Sequence, residues 1–411
     1  MYLATLLAAL VALSPSLVAA QVVGKAYGFA TGVTGGGSAK ATAPSDIAQL
    51  KTWLSDSTAR VILIDKTFNY IGSEGTVSEK GCRAKSGCNA SNGGQDTIGK
   101  DSCDANESEV DVKYDKAAKT QLTVGSNKSI VGVGSKGIIQ GKGLKIPQGT
   151  KNVMYVTTPQ ETCPSVTNVA KHPERSYHPC TIDSQRLQDL NPQYVWGGDG
   201  MSIEGVDGLW IDHCKFSKAG RMFIVSHFNP STFTISNTEF DGVTAYSNSC
   251  NKNQYWGTMF VADGDEVTLD RNWYHDMSGR APKISGTSTT VQAVNNYFSD
   301  NLGHNFDITK GTNVLLEGNV FSNAKTPITT DSSSSGANIF DVPDSGSIST
   351  CSSSLGRNCV ANSLSGSGAW PSLKSTTALS ALGKSKANLV TPIQASNVKS
   401  TVTGKAGIGK I

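Results

Sequence analysis

Charge is scarce in this chain. Only 17% of its 411 residues are charged, and the formal net charge is +3. So weak a balance leaves no electrostatic footprint for nucleic acid. Histidine is scarcer still, with six residues, and neither these nor the nine cysteines fall at a metal-ligand spacing such as C-x-x-C. No metal and no cofactor are expected. The pair Asp212-His213 lacks a serine nucleophile motif to accompany it and is read as structural. Long apolar runs are missing beyond the first twenty residues, so no later stretch is expected to span a bilayer. Residues 1–20 are apolar and end in Val18-Ala19-Ala20. They read as a secretory signal peptide cut before Gln21, despite lacking an early Lys or Arg, and a secreted, extracellular chain is expected.

What is abundant is repetition. Five segments share one pattern: LWIDHCKF from Leu209, FTISNTEF from Phe233, VTLDRNWY from Val267, VQAVNNYF from Val291 and VLLEGNVF from Val314. Subtracting those starting numbers gives steps of 24, 34, 24 and 23 residues. A period in the twenties with one short strand per period predicts a solenoid, here an all-β, right-handed parallel β-helix. The sixth positions are Cys214, Thr238, Asn272, Asn296 and Asn319, and the eighth are Phe216, Phe240, Tyr274, Phe298 and Phe321. Stacked coils would turn the sixth positions into an internal polar ladder and the eighth into an aromatic stack that fills the core. Asparagine suits a turn because it tolerates the left-handed region and bonds to nearby backbone.

The rest of the chain is read around this repeat. A short helix from Ser45 to Leu54, capped by Asp46 or Ser45, would close one end of the core, and Val61–Ile64 is the first buried strand. Gly72 to Asn106 reads as an irregular excursion beside a binding groove. Gly132-Val-Gly-Ser-Lys-Gly137 matches G-x-G-x-x-G, but Ile138-Ile139 after it is strand rather than helix, which rules out a dinucleotide site. Residues 341–411 would wrap along the solenoid. Cysteines in an exported chain predict disulfides, with Cys351 and Cys359 closing a short loop and Cys214 left as the buried free thiol. Asn89, Asn106 and Asn127 each begin a glycosylation sequon. A capped solenoid of this kind is expected to be a monomer.

Residues 156–184 break the pattern. The stretch around them holds four prolines, two cysteines and two of the six histidines without strand alternation. It reads either as a surface loop closed by Cys163 and Cys180 or as a translated retained intron. Met154-Tyr155-Val156 can be encoded by a sequence containing GTATGT, a fungal-type splice donor. On the second reading the chain as translated need not fold into an active protein.

Three patches carry the chemistry: YVWGGDG from Tyr194, WIDH from Trp210 followed by Gly220-Arg221, and SGRAPK from Ser278. Arg221, Arg280 and His304 fall five or six residues after an aromatic of the stack, so equivalent turns would bring them to one side. At these residues the sequence resembles polysaccharide lyase family 1, most closely the fungal pectin lyases, over almost all of the chain except residues 156–185.

The resemblance implies a lyase domain over residues 21–340 and endo-acting β-elimination on methyl-esterified galacturonan, with plant cell-wall pectin as the partner. It implies Arg280 as the base, an awkward role for a guanidinium that ordinarily holds its proton. Lys283 is a candidate neighbour. It also implies Arg221 standing where calcium-dependent relatives keep acidic ligands, paired with Asp199 and polarising the ester carbonyl. Trp196, Tyr255 and Trp256 are the expected sugar-binding aromatics. By the same analogy Cys82 would pair with Cys103 and Cys88 with Cys250. Two other functions stay open: a calcium-dependent pectate lyase, and a non-catalytic wall-binding β-helix.

Overall fold

The computed structural model describes residues 24–133, 137–157, 186–188, 191, 193–195 and 199–410. The signal-peptide residues 1–20, Trp196 and the pair Cys163 and Cys180 lie outside them. Three parallel sheets of ten, eight and nine strands run the length of a β-helix, each strand paired with its equivalent on the next coil. Each coil therefore carries three strands rather than one. LWIDHCKF divides at its middle: Asp207–Asp212 belongs to the ten-stranded sheet and Lys215–Ser217 to the nine-stranded one.

The corner between them explains the repeat. Its fifth position takes the left-handed turn, with φ of 52° at His213, 43° at Asn237, 54° at Arg271, 54° at Asn295 and 61° at Gly318. The sixth position is the ladder. Asn272 donates its backbone N–H to Asn296 Oδ1 at 3.0 Å, Asn296 to Asn319 Oδ1 at 2.9 Å, and Asn319 to Asn362 Oδ1 at 2.9 Å. Each side-chain nitrogen in turn donates to a strand carbonyl of the preceding coil, as Asn296 does to Leu269 at 2.9 Å. Backbone groups that a sharp corner would leave unpaired inside the protein are thus satisfied. Beside the ladder, Phe240, Tyr274, Phe298 and Phe321 stack with centroids 4.4, 5.1 and 4.7 Å apart. All four are fully buried, so the stack is core.

The ends are closed. Helix Ile47–Ser55 begins at Asp46, whose carboxylate accepts from Gln49 N at 2.8 Å, and it buries Leu50 and Leu54 in the core shared with Ile62 and Leu122. In the C-terminal segment, strand Ser363–Ser365 extends the nine-stranded sheet. Helices Thr376–Gly383 and Ala395–Lys405 bury apolar residues against the flank of the coils. The irregular excursion expected over Gly72 to Asn106 is instead ordered around a hairpin. Thr76–Ala84 pairs antiparallel with Glu107–Asp115 at every position. The alternation of Val110, Val112 and Tyr114 carries that signal, and the charged residues between them mask it.

Disulfides join Cys82 to Cys103, Cys88 to Cys250 and Cys351 to Cys359, and Cys214 is free and buried. Asn106 and Asn127 are exposed. Asn89 does not fit a glycan: it is buried, and its side-chain nitrogen already donates to Ala84 O at 3.2 Å.

Val156 and Thr157 belong to the buried strand Lys151–Thr157, with Val156 paired to both Val131 and Asp212, so the pattern breaks two residues later than 156. The chain returns at Arg186, which pairs with Lys215. On the next coil only His213 and Cys214 bridge Asp212 and Lys215. Deleting Thr158–Ser184 would leave Thr157 and Gln185 as the equivalent bridge. That variant is expected to melt cooperatively at or above the temperature of the full chain, whereas deletion of 156–184 leaves the corner two residues short and should lose soluble yield. Melting curves and soluble expression of the two variants check this. A second expectation concerns the ladder: Asn296→Ala leaves buried groups of Asn272 and Leu269 unpaired. It should lower unfolding stability by about 2–5 kcal/mol in urea titrations.

Candidate functional site

The site lies at one edge of the eight-stranded sheet. Its strands Met201–Ile203, Ile224–Ser226, Thr258–Phe260 and Lys283–Ile284 are consecutive neighbours, in register Met201↔Ile224↔Thr258 and Met259↔Lys283. The turns entering these strands carry Asp199, Arg221, Trp256 and Arg280. Residues far apart in sequence thus arrive side by side, because each occupies the same corner of its own coil.

Asp199 is only 2% exposed. Its Oδ1 lies 2.9 Å from Arg221 Nε and accepts from Met222 N at 3.1 Å, with Ser202 Oγ at 3.5 Å from Oδ2. Burial pushes its pKa up to about 6, against the opposing pull of the Arg221 charge and these bonds. The Arg221 side chain remains 28% exposed, so the pair has a buried anion beneath a partly open cation.

Arg280 is held differently. Its guanidinium carbon sits 4.7 Å from the Trp256 ring centroid and 5.7 Å from that of Tyr255, and Nη1 reaches Met259 Sδ at 3.6 Å. Among the described residues no carboxylate pairs with it. Its backbone is in the left-handed region, φ 46°, an uncommon conformation for a side chain of this size, and its N–H is fixed by His304 Nε2 at 3.0 Å. His304 therefore accepts through Nε2. Its pKa is held low by burial, with the Arg280 and Lys283 charges adding to that and Asp307 opposing it. Lys283 stands beside Met259 in the sheet and donates to Asp307 Oδ2 at 2.8 Å.

Two glutamines fasten the assembly. Gln95 accepts from Trp256 Nε1 at 2.8 Å and donates to Gly220 O at 2.9 Å. Gln254 donates to Arg221 O at 2.8 Å and to Ala219 O at 3.1 Å. The Cys88–Cys250 bond ties the excursion bearing Gln95 to the one bearing Tyr255 and Trp256. Of the residues picked from sequence, Arg280, Arg221, Asp199, Tyr255, Trp256 and Lys283 come together here. Gln95, Gln254, Met259 and Asp307 were not anticipated. The repeat step is the signal that finds Asp307, which lies one step of 24 after Lys283, as His304 lies 24 after Arg280. Nothing in the sequence singles out the glutamines.

Two acidic clusters elsewhere have their charges committed. Glu239, Asp241 and His275 surround the Lys215 ammonium, which lies 2.7 Å from Glu239 and 2.8 Å from Asp241. Cys82 and Cys103, near Glu107, are spent in their disulfide. Asp212 bonds His213 Nδ1 at 2.6 Å and also accepts from Asn237 at 2.9 Å, a corner brace of the coil.

The site can hold an electron-rich group against two guanidinium ions and a neutral ring against two aromatic faces. A family model described as "Right handed beta helix region" matches residues 166–321. "Probable pectin lyase F-1" of Aspergillus terreus is 43% identical, covering 98% of both chains. "Probable pectin lyase E" of Aspergillus fumigatus is 42% identical, covering 95% of this chain and 96% of that protein. A solved Bacillus subtilis pectate lyase variant superposes with a TM-score of 0.54 at 18% identity, covering 96% of this chain and 99% of the other. That last likeness is one of fold.

The burial of Asp199 has a consequence for stability. The folded chain keeps its proton up to about pH 6, whereas an unfolded aspartate releases it near its ordinary value of 3.8. Between those values the native state binds more protons, so this group's contribution falls as the pH rises. Relative to Asp199→Asn, the wild type should lose on the order of 2 kcal/mol of stability between pH 4 and pH 6.5, read from denaturation midpoints across that range.

Proposed function

The chain belongs to the fungal pectin lyase family, and from that membership we propose that Arg280, Arg221 and Asp199 carry an eliminative cleavage of methyl-esterified galacturonan. The protein is a polysaccharide lyase, with pectin as its substrate. In our reading the methyl ester of a galacturonosyl unit lies against Arg221, with C5–H turned to Arg280. A guanidine nitrogen of Arg280, having given up its proton beforehand, takes the proton from C5. The C5–H electron pair moves into an enolate on the ester, then forms the C4=C5 double bond as the C4–O4 bond breaks. O4 leaves with its electron pair and takes up a proton, and the remaining sugar carries a 4,5-unsaturated end.

Charge develops on the ester oxygen during this step, and Arg221 is the fixed cation that meets it. Asp199 sets the direction of that guanidinium. Trp256 and Tyr255 hold a neutral sugar face without requiring its charge, which suits an ester better than a free carboxylate. The observation that carries the reading is the 2.9 Å pair of Asp199 with Arg221. A carboxylate whose charge is committed to a guanidinium is poorly disposed to ligate calcium, and this supports metal-independent cleavage. Three disulfides and two exposed sequons support export, and the closing helix at one end supports a monomer.

Formation of unsaturated product from highly methylated pectin, followed by ultraviolet absorbance, tests this. Arg280→Ala should fall by at least about 100-fold in kcat while still binding the polymer, as expected for loss of a proton acceptor. Arg221→Met should fall by about 100- to 1,000-fold. Wild-type activity should survive a chelator. Loss with the chelator would instead favour a calcium-dependent pectate lyase, and unimpaired turnover by Arg280→Ala would remove that residue from the chemistry.

A further inference from the structure

We infer that Phe228 is a second sugar-binding platform, on the same sheet face as the reaction centre but at its opposite edge, taking a galacturonosyl unit remote from the bond that breaks. The inference rests on the function proposed above. Strand Ile224–Ser226 is entered through Arg221 and left through His227 and Phe228, so the two ends of one short strand serve both places. Phe228 is 74% exposed, a large apolar ring set in solvent. Its backbone φ is 71°, and Asn229 N donates to His227 O at 3.0 Å across it. That is a three-residue turn of the strained hand, and a bulky side chain is badly suited to it. An exposed aromatic and a strained backbone each cost free energy, and the ring contributes nothing to the core. Such strain concentrates where a site is held in place.

The ring also has a prepared underside. The imidazole of His227 lies 3.9 Å below it, centroid to centroid, inclined by 31°. His227 Nε2 is 3.5 Å from Glu204 Oε1, and Lys145 Nζ is 2.8 Å from Glu204 Oε2. His227 is two residues beyond Val225, on the same face of the strand as the row Val225, Met259 and Lys283. Its titration registers the nearby Arg221 charge, which adds to burial in holding its pKa down while Glu204 opposes. The platform and the elimination site therefore share one surface. A pyranose lays its C–H face on an aromatic ring, and Glu204 and Lys145 at the rim offer an acceptor and a donor for hydroxyl and carboxyl groups.

The test compares wild type, Phe228→Ala, Phe228→Gly and Phe228→Tyr on long methylated pectin and on the shortest methylated oligomers that are cleaved. Ala and Gly should raise KM on the polymer about five-fold with kcat within about two-fold, leave the short oligomers unaffected, and be rescued by Tyr. The Gly variant should melt no lower than wild type, because glycine relieves the positive φ. Unchanged polymer KM in both variants would overturn the inference. So would an equal rise on the shortest oligomers, which would move Phe228 into the reaction centre, or a large fall in melting temperature with Gly. Should wild type form no unsaturated product, the elimination reading fails on its own. Retention on immobilised pectin then decides the platform: weaker retention of Phe228→Ala upholds it, and equal retention, leaving Phe228 for some other contact, removes it.

Discussion

The structure depends on one constraint, that each coil must lay its buried groups directly on those of the next. The asparagine ladder enforces it. A corner sharp enough to close a coil leaves a backbone N–H pointing along the solenoid axis, deep inside the protein. Asn272, Asn296, Asn319 and Asn362 each offer the oxygen that receives it and the amide nitrogen that answers a carbonyl behind. An unpaired buried amide costs more than a hydrogen bond in water returns, so register is set by polar satisfaction as much as by apolar contact. The aromatic stack fills the space beside the ladder but tolerates displacement better, since dispersion has no strict direction.

That constraint also makes the site. A surface built from coils in register can take one residue from each of several distant segments and hold them in a row. Asp199, Arg221, Trp256 and Arg280 need no local motif to meet. They need only occupy equivalent corners. Fine placement is then left to groups off the coils, above all Gln95 and Gln254, and to the Cys88–Cys250 bond that fixes one excursion against another. A shift of the excursion would move the Trp256 ring from beneath Arg280 without disturbing a single coil.

The solenoid was legible because its pattern repeats: five matching octets expose both the ladder and the stack. The division of each octet between two sheets was not, because the corner takes only two residues and leaves no polar gap. His213 and Arg271 at left-handed positions carry no compositional warning, unlike the glycine at 318. Arg221, Arg280 and Asp199 were legible through short motifs shared with a known family. Met259 and Asp307 were not, because their meaning comes from what lies on the adjacent coil. The hairpin Thr76–Ala84 with Glu107–Asp115 was missed because its outward residues are polar and its partner strand lies beyond two intervening cysteines.

The ion pair of Arg221 with Asp199 is best understood through its cost. Carboxylates buried to gain stability are usually held by several donors, and their pKa falls, as it does to about 2 for Glu239, where bonds from His275 and the Lys215 charge outweigh burial. Asp199 moves the other way, to about 6, because burial outweighs its partners. A buried charge that weakens the fold near neutral pH is poor support for stability. Its value lies in direction: the anion beneath keeps the guanidinium above from turning, so that a single positive charge faces outward at one place. A divalent ion would bring more charge but also its own waters and a need for several anionic ligands. For an ester that carries no charge until the proton leaves, a cation already in position and weakly hydrated meets the developing oxygen charge with little reorganisation.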